Sequence, residues 1–551
     1  MCGIFAILNN TCDDLSTYKM FMKGAGRGPD MNQFINYKGL VGEKYDIDIG
    51  FHRLAINGYN DDMSDQPFQI KNCMLICNGE IYNWKYLYTV ADIEPGTKSD
   101  CEVIIHLYKK YGIDYTLKML DGVFAFVLFD IEKGMLYAAR DLYGVRPMFV
   151  GKGDVPLSEN EPIMYGFASE MKQLVGETLK EIKQLEPGTY ATFKCETCSK
   201  GTFRFIENKR FLDIPSTIDN THGRLEDYCE TVYKALCKAV EKRVDNTDRD
   251  ICCLLSGGLD SSLITSIVNK YYKKRFPNKK LHTWSIGMDG SEDLKYACKV
   301  AEFLGTKHHS IELRKEEFLD AIPRVIYDIE SYDTTTVRAS VGNWLVSKYI
   351  SEQSDAKVVF NGDGSDEVCG GYMYFHAAPD ALEFDKECKR LLTDIHFFDV
   401  LRSDRSISTH GLEARTPFLD KNFVETYLSI PPHIRFHAGN GVCEKYILRK
   451  AFDGKKMLPK EVLWRTKEAF SDGVSSSKES WFQTIQKRHR DEKQYYKTMF
   501  QDYFQGHDGV IPYYWMPRFV NATDASARTL DIYNKVKNGS TVKSLNSVVE
   551  K

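Results

Sequence analysis

The stretch between residues 251 and 267 constrains the fold more than any other part of the sequence. Apolar residues at 251–255 run directly into Ser-Gly-Gly-Leu-Asp-Ser-Ser at 256–262, and apolar residues at helical spacing follow. This order predicts a buried strand, a glycine-rich turn and a helix. Backbone N–H groups in such a turn, together with the positive end of the helix, suit a phosphate or pyrophosphate. Because the turn lacks the Gly-Lys-Ser/Thr of a Walker A loop, γ-phosphoryl transfer is disfavoured.

An alternation of helices and strands continues around this turn. Apolar residues at helical spacing between 225 and 240 predict a helix before it, and apolar runs predict strands at 281–286 and 357–360. Ser291 is the expected N-cap of a helix that closes before Gly305. Such alternation predicts a parallel sheet covered by helices on both faces.

The first 200 residues have a different pattern. Short strands are predicted at 74–77, 123–129 and 135–139, separated by Asn-Gly, Asp-Gly and Lys-Gly turns, as in a sheet-rich α+β layer structure. The expected organisation is a first domain at 1–205, a linker at 206–222 that contains Pro215 and Asn220, a second domain at 223–535 and a polar tail at 536–551.

Composition excludes several classes of protein. A chain of 551 residues with 43% hydrophobic residues is long enough for two large domains. The net charge of -4 gives no basic field that would attract nucleic acid or an anionic membrane. With no signal peptide and no apolar stretch of about 18 residues, we expect a soluble cytoplasmic protein. Fifteen scattered cysteines favour reduced thiols, and the isolated CxxC pair, Cys195 and Cys198, favours a surface turn over a zinc site.

Cys2 is a candidate nucleophile. If Met1 is removed, which the small side chain of Cys2 permits, this residue carries a thiol and a free α-amine. An α-amine has a pKa of about 7.7 to 8.0, so at neutral pH it can take the thiol proton directly or through water. Taken alone, however, a cysteine at position 2 is usually inert.

Four further segments extend the pattern around Cys2: Phe-His-Arg-Leu-Ala-Ile-Asn at 51–57, Cys-Asn-Gly-Glu-Ile-Tyr-Asn at 77–83, Ser-Asp at 99–100 and Ala-Arg-Asp at 139–141. Together they resemble the glutaminase domain of class II amidotransferases, which are N-terminal-nucleophile hydrolases. The resemblance implies that Asn78 and the backbone N–H of Gly79 form an oxyanion hole. The implied glutamine-binding residues are Arg53, Leu54, Ala55, Ile56, Asn57, Asn78, Gly79, Glu80 and Asp100.

The residue types suit this task independently. An Arg guanidinium binds an α-carboxylate bidentately, and the carboxylates of Glu80 and Asp100 can accept from an α-ammonium or an amide. The alternative is structural: Asn78-Gly79 would be a hairpin turn and Arg53 a surface cation. Either residue seen alone favours that alternative, and the combination with Cys2 favours the functional interpretation.

The glycine-rich turn resembles the PP-loop of N-type ATP pyrophosphatases, which cleave ATP between the α and β phosphates and form adenylates. Asp260 beside phosphates would be repelled unless a cation intervened, so it is the first expected Mg²⁺ ligand. Asp366, in Phe-Asn-Gly-Asp-Gly-Ser-Asp-Glu at 360–367, is the second by resemblance. A solvated turn and a calcium loop are the alternatives for this segment, and ligands at EF-hand spacing are absent.

Segments at 333–340, 410–420 and 464–473 resemble the family of glutamine-hydrolysing asparagine synthetases. The implied fold is an α+β N-terminal-nucleophile hydrolase sandwich followed by an α/β PP-loop domain, adenine nucleotide α-hydrolase-like, with a parallel sheet. Asp363 and Lys467 are implied catalytic residues, and Thr335, Thr336 and Arg338 are implied contacts of aspartate or pyrophosphate. The implied ATP-binding residues are Leu255, Ser256, Gly257, Gly258, Asp260, Ser261, Ile286, Asn361 and Gly362.

The implied reaction makes asparagine from aspartate, glutamine and ATP-Mg²⁺ through β-aspartyl-AMP. Its partners are these small molecules, and the resemblance allows a homodimer. Asn361-Gly362-Asp363 departs from the Ser-Gly-Glu common in the family, and the carboxylate of Asp363 is one methylene shorter. Two rivals remain: a related adenylating amidotransferase acting on another carboxylate, and a glutamine- or nucleotide-binding regulator with a decayed synthetase site.

Overall fold

Two antiparallel six-stranded sheets form the first 210 residues of the chain. The computed structural model describes residues 1–37, 47–155, 162–196, 201–219, 223–439, 441–465, 473–476 and 479–533. The strands are β1 Gly3–Leu8, β2 Met31–Asn36, β3 Ile47–Arg53, β4 Phe68–Ile70, β5 Cys73–Ile81, β6 Gly122–Asp130, β7 Met135–Arg140, β8 Phe149–Gly153, β9 Tyr165–Ala168, β10 Leu179–Gln184, β11 Thr189–Glu196 and β12 Thr202–Arg210. One sheet has the order β10-β8-β9-β1-β3-β2, and the other β12-β11-β7-β6-β5-β4.

Alternating apolar residues bury these two sheets against each other. Ile4 and Ala6 of β1 lie in one buried cluster with Met74 and Ile76 of β5, whereas Phe5 faces the opposite side. The outer face of the second sheet packs on three helices, α2 Trp84–Ala91, α3 Val103–Tyr111 and α4 Ile113–Met119. The α+β sandwich expected from the sequence is therefore confirmed. Helix α1 (Asp14–Met22) packs near the other sheet.

A five-stranded parallel sheet forms the centre of the second domain. Its strands are β13 Ile251–Leu254, β14 His282–Met288, β15 Lys307–Leu313, β16 Val358–Phe360 and β17 Glu413–Arg415, in the order β15-β14-β13-β16-β17. The helices around it are α5 Leu225–Asp245, α6 Leu259–Arg275, α7 Glu292–Leu304, α8 Lys315–Ile329, α9 Thr334–Gln353, α10 Ser365–Cys369, α11 Ala381–Asp394, α12 Asp399–Ser408, α13 Lys421–Ser429, α14 Pro432–Arg435, α15 Tyr446–Phe452, α16 Lys460–Leu463, α17 Trp481–Arg488 and α18 Glu492–Phe504.

Both faces of the parallel sheet are buried. Ile251 and Cys253 pack with helices α5, α6, α13 and α15, whereas Cys252 packs with α8, α9 and α18. A strand that is covered on both sides needs an apolar residue at every position, which explains the unbroken apolar run in the sequence. No described helix is long and apolar enough to span a lipid bilayer.

The bounds of the predicted strands lie within two residues of the observed ones, except that the strand predicted at 74–77 continues to Ile81 in β5. Ser291 is the N-cap of α7, and its side chain accepts from the backbone N–H of Leu294, as expected; Gly305 follows the last residue of the helix. Asn78-Gly79 lies inside β5 and is not a hairpin turn. Strand β12 extends five residues into the stretch expected to be a linker, because residues 207–210 pair with β11 and residue 206 lies at a register shift within the strand. Cys198, Asn220 and residues 536–551 lie outside the described residues.

Buried ion pairs join the two domains. Arg27 Nη1 lies 2.8 Å from Asp404 Oδ2, and both side chains are almost fully buried. The carboxylate of Glu330 accepts from the backbone N–H groups of Met171 at 2.8 Å and Lys172 at 2.7 Å. The amino group of Met1 also donates to Leu412 O, so the start of β17 lies beside the start of β1 and the second domain contributes to the surroundings of Cys2.

Candidate active sites

Cys2 lies immediately before β1, beside the end of β3. Pairing of Gly3 with His52 brings Cys2 to the segment after β3, and its thiol donates to the carbonyl oxygen of Leu54 at 3.5 Å. Burial raises the pKa of the Cys2 thiol to about 11. Met1 precedes it, fully buried, with its amino group donating to Leu412 O at 2.8 Å. While Met1 is present, Cys2 has no α-amine of its own, so the proposed chemistry requires its removal.

The predicted glutamine-binding segments are joined by direct hydrogen bonds. Asn57 Nδ2 donates to Glu80 Oε2 at 2.9 Å, and the backbone N–H of Ile81 donates to Asp100 Oδ2 at 2.7 Å. Arg53 donates to Gly58 O at 2.7 Å and pairs with Asp65. Leu54, Ala55 and Ile56 are buried beside it. Residues from three separate parts of the sequence therefore converge, as expected.

Asn78 and Gly79 show why this strand suits an oxyanion hole. Asn78 is buried, and within the described part of the chain its Nδ2 has no hydrogen-bond partner. Buried amide groups are normally paired, so an unpaired one fits a donor that awaits a ligand. A Cβ at Gly79 would lie 2.6 Å from Val123 O and 2.8 Å from Phe124 Cβ. Glycine is therefore required at position 79 by the close approach of β6.

The second domain reaches into this first site. Arg415 Nη2 lies 3.1 Å from Glu80 Oε2, and the side chain of Asn246 contacts both Glu80 and Asp100. Burial raises the pKa of Glu80, and the nearby carboxylates of Glu413 and Asp100 raise it further, whereas Arg415 opposes them. Burial also raises the pKa of Asp100. Sequence reasoning missed Asn246 because nothing in its local pattern marks it, whereas Arg415 stands within a recognised motif.

A second site lies at the carboxyl ends of β13, β14 and β16, around a cavity of about 210 Å³. Such an edge is where open α/β sheets bind ligands. The predicted residues that line it are Leu255, Ser256, Gly258, Asp260, Ser261, Ile286, Thr335, Thr336, Asn361, Gly362, Asp363 and Asp366. The structure thus brings together residues that are more than 100 positions apart in the chain.

The glycine-rich turn is held open toward this cavity. Ser261 Oγ accepts from the backbone N–H of Ser256 at 3.1 Å, and α6 begins at Leu259. Gly257 does not line the cavity: its φ is +75°, and a Cβ there would lie 2.5 Å from Ala297 N. Glycine at this position allows the backbone to make the turn. The N-terminus of α6 provides N–H groups and positive potential that can bind phosphate.

The two predicted metal ligands face one cation. Lys445 Nζ lies 2.7 Å from Asp260 Oδ1 and 2.6 Å from Asp366 Oδ1. The described residues hold no cluster of three or more His, Cys, Asp or Glu side chains able to bind a metal alone. Two carboxylates arranged about a positive charge fit Mg²⁺ that is shared with substrate phosphates. Lys445 itself carries no motif that would have identified it from the sequence.

Asp363 is held by residues that sequence reasoning missed. Arg402 Nη2 donates to its Oδ1 at 2.8 Å and also pairs with Asp399. The other carboxylate oxygen of Asp363, Oδ2, is buried and has no hydrogen-bond partner among the side chains and backbone that the structure describes. Burial raises the pKa of Asp363. The shorter carboxylate is therefore fixed by Arg402 at the cavity wall, with one oxygen left for a ligand.

The three predicted contacts of aspartate or pyrophosphate fall in different places. The hydroxyl of Thr335 lines the cavity and, over the described ranges, is buried without a partner. Thr336 donates its hydroxyl to Asp333 Oδ2 at 2.7 Å. Arg338 is not a lining residue: its guanidinium is buried between Glu492 at 2.8 Å and Asp524 at 2.8 to 2.9 Å. The structure therefore places the Arg338 guanidinium in an ion-pair network outside the cavity lining, and its contact with a substrate stays a prediction. Lys467 lies outside the described residues.

Comparison with protein families agrees with this division of the chain. Residues 1–214 match the family described as glutamine amidotransferase domain, and residues 231–385 and 377–521 match asparagine synthase. Fold, sites and these matches define a two-domain amidotransferase with an N-terminal-nucleophile domain and a PP-loop domain.

Full-length relatives extend this match over nearly the whole chain. Glutamine-hydrolysing asparagine synthetases of Homo sapiens and Gallus gallus are 40% identical to it, and the alignments cover 97% of this chain and 99% of each relative. The Mus musculus protein of the same name is 39% identical over the same share. The chain belongs to the family of glutamine-hydrolysing asparagine synthetases.

Proposed function

We propose that this protein makes asparagine from aspartate, glutamine and ATP through a β-aspartyl-AMP intermediate, and releases glutamate, AMP and pyrophosphate. The proposal rests on one observation: the chain contains two separate sites whose residues suit the two half-reactions. One site has a buried Asn78 Nδ2 without a described partner and a Cys2 thiol bonded to Leu54 O, and the other has a glycine-rich turn that lines one cavity with Asp260 and Asp366.

In the first domain, removal of Met1 gives Cys2 a free α-amine that accepts the thiol proton as sulfur attacks the glutamine amide. Asn78 Nδ2 and the backbone N–H of Gly79 donate to the oxyanion that forms, and losing such a donor typically costs about a hundredfold or more in rate. Arg53 binds the α-carboxylate, and Glu80 and Asp100 accept from the α-ammonium. The C–N bond of the intermediate then breaks, ammonia leaves with a proton returned by the α-ammonium of Cys2, and water hydrolyses the resulting thioester to glutamate.

In the second domain, the aspartate side-chain carboxylate attacks the α-phosphorus of ATP, and pyrophosphate leaves. Backbone N–H groups of the turn bind the phosphates, Thr335 contacts a substrate, and Lys467 adds positive charge. Mg²⁺, held by Asp260 and Asp366, would neutralise phosphate charge when bound. Ammonia then displaces AMP from the acyl carbon. Protonated ammonia is not a nucleophile, so we expect a protected route between the two domains.

We further propose a cytoplasmic location. All cysteines in the described residues are free thiols, including buried neighbours such as Cys252 and Cys253. Reduced thiols in these numbers are typical of proteins from a reducing compartment.

Isotope transfer tests the proposed function. Glutamine labelled in its amide nitrogen, with aspartate and ATP-Mg²⁺, should yield labelled asparagine together with AMP. Cys2→Ala should abolish this transfer, and ammonium should restore asparagine formation. Hydrolysis of glutamine without asparagine or AMP formation in the unmutated protein would contradict the proposal.

A further inference from the structure

Asn246, which directly follows α5, connects the two domains inside the glutamine site. Its side chain is buried, and all three of its described contacts are with the first domain. Oδ1 accepts from Trp84 Nε1 at 3.0 Å. Nδ2 donates to Glu80 Oε2 at 2.7 Å and to Asp100 Oδ2 at 3.2 Å. One amide of the synthetase domain therefore spans both carboxylates that are expected to hold the substrate ammonium.

Both carboxylates need such a donor. Glu80 and Asp100 are buried and of like charge, so they repel each other and are poorly solvated. Asn57 and Arg415 also contact Glu80, and the backbone of Ile81 contacts Asp100. Asn246 differs from these groups because it contacts the two carboxylates together, with one N–H for each. It can thereby fix their separation without adding a charge.

We propose that Asn246 is a positioning residue for glutamine: docking of the synthetase domain sets the spacing of Glu80 and Asp100 and so completes the glutaminase site. The inference rests on the proposed function. It predicts that a change at Asn246 weakens glutamine binding while the chemistry on ATP and aspartate continues.

Two substitutions separate the contacts of this amide. Asn246→Asp keeps the size of the side chain and the oxygen that faces Trp84, but it replaces the donor with an acceptor. Trp84→Phe is the matched control, because it removes the third hydrogen bond and leaves both carboxylate contacts. For each full-length variant, kcat and KM are measured for glutamate release from glutamine and for asparagine formation from ammonium. Asn246→Ala provides a second variant in case the aspartate disturbs folding.

A hydrogen bond to a charged group contributes enough free energy that its loss changes an affinity by about tenfold or more. We therefore expect KM for glutamine to rise by about tenfold or more in both Asn246 variants. We expect kcat to change less than KM. Ammonium-dependent synthesis and the Trp84→Phe enzyme should stay within about twofold of the unmutated enzyme. An unchanged KM for glutamine in both variants would overturn the inference. So would a parallel loss of ammonium-dependent synthesis, since that indicates general damage to the fold. If the unmutated protein released no glutamate, the proposed function and this inference would fail together.

Discussion

A single side chain, that of Lys445, neutralises the two carboxylates of the proposed nucleotide site. Its ammonium lies between Asp260 and Asp366, in the place that the proposed function assigns to a divalent cation. Two carboxylates facing one cavity without a cation would repel each other strongly. The lysine therefore balances them when no metal is bound, and it competes with a metal that arrives without nucleotide.

We expect Lys445→Met to tighten Mn²⁺ binding in the absence of ATP by about tenfold or more, because a competing positive charge is removed. Electron paramagnetic resonance of free Mn²⁺ measures this without any turnover. Lys299→Met, which removes an exposed lysine paired with Glu461, is the control and should leave the affinity unchanged. Equal affinity in the Lys445 variant and the unmutated chain would contradict the competition.

Cys2 gives a second prediction at this scale, since its reactivity depends on whether Met1 is present. In a chain that keeps Met1, the thiol pKa of about 11 leaves little thiolate at neutral pH. Below that pKa, the alkylation rate at Cys2 should rise about tenfold for each pH unit. The processed chain should react at neutral pH. Mass spectrometry of the N-terminal peptide after timed iodoacetamide treatment distinguishes the two forms, and a pH-independent rate in the Met1 form would refute the prediction.

Among the elements, α9 and α18 depend on an arginine that sequence reasoning assigned to substrate. Arg338 of α9 pairs with Glu492 at the start of α18 and with Asp524 beyond it, and all three side chains are largely buried. Removing one partner of a buried ion pair leaves uncompensated charge, which typically costs about 3–5 kcal/mol.

Arg338→Met should therefore lower the free energy of unfolding by about 3–5 kcal/mol, measured by urea denaturation. Residual folded enzyme at low temperature should bind pyrophosphate with unchanged affinity. A variant of normal stability that had lost pyrophosphate affinity would instead support the substrate contact expected from the sequence.

Elements whose pattern is local could be predicted from the sequence, and contacts between distant segments could not. The strand at 251–254 and the helix cap at Ser291 are each determined by a few neighbouring residues, so the local sequence predicts them. The sequence predicts a functional role for Asn78 and Gly79, but it did not predict that β5 continues through them, because Asn-Gly usually marks a turn. The ion-pair and hydrogen-bond partners of Lys445 and Asn246 lie 79 or more residues away in the sequence, so no local spacing pattern identifies either residue. The sequence likewise could not show that the Arg338 guanidinium pairs with Glu492 and Asp524, which are distant in the chain.

At the scale of the whole molecule, buried ion pairs fix the position of one domain against the other. Asp404 accepts from Arg27 across the interface at 2.8 Å. Although burial disfavours its charge, Arg27, Arg146 and Arg405 together hold the pKa of Asp404 below its usual range. A carboxyl group with a depressed folded pKa stabilises the fold above its unfolded pKa, and this contribution is lost as pH falls through the folded value.

Asp404→Asn should therefore be less stable than the unmutated protein at pH 7, by about 3–5 kcal/mol. The difference should stay constant down to about pH 4 and shrink below it, because the unmutated carboxyl group then takes up its proton. Urea midpoints measured between pH 7 and pH 3 test this sign. A difference that grew with acidity would contradict it.

The buried position of Met1 has a consequence for the order of events during synthesis. Its amino group is bonded to the carbonyl of Leu412, a residue that leaves the ribosome some 400 positions later. An aminopeptidase needs a free chain end, so the removal of Met1 that the proposed function requires would have to precede docking of the second domain. A chain that folded with Met1 in place would keep Cys2 without an α-amine, and its synthesis of asparagine would then depend on ammonium.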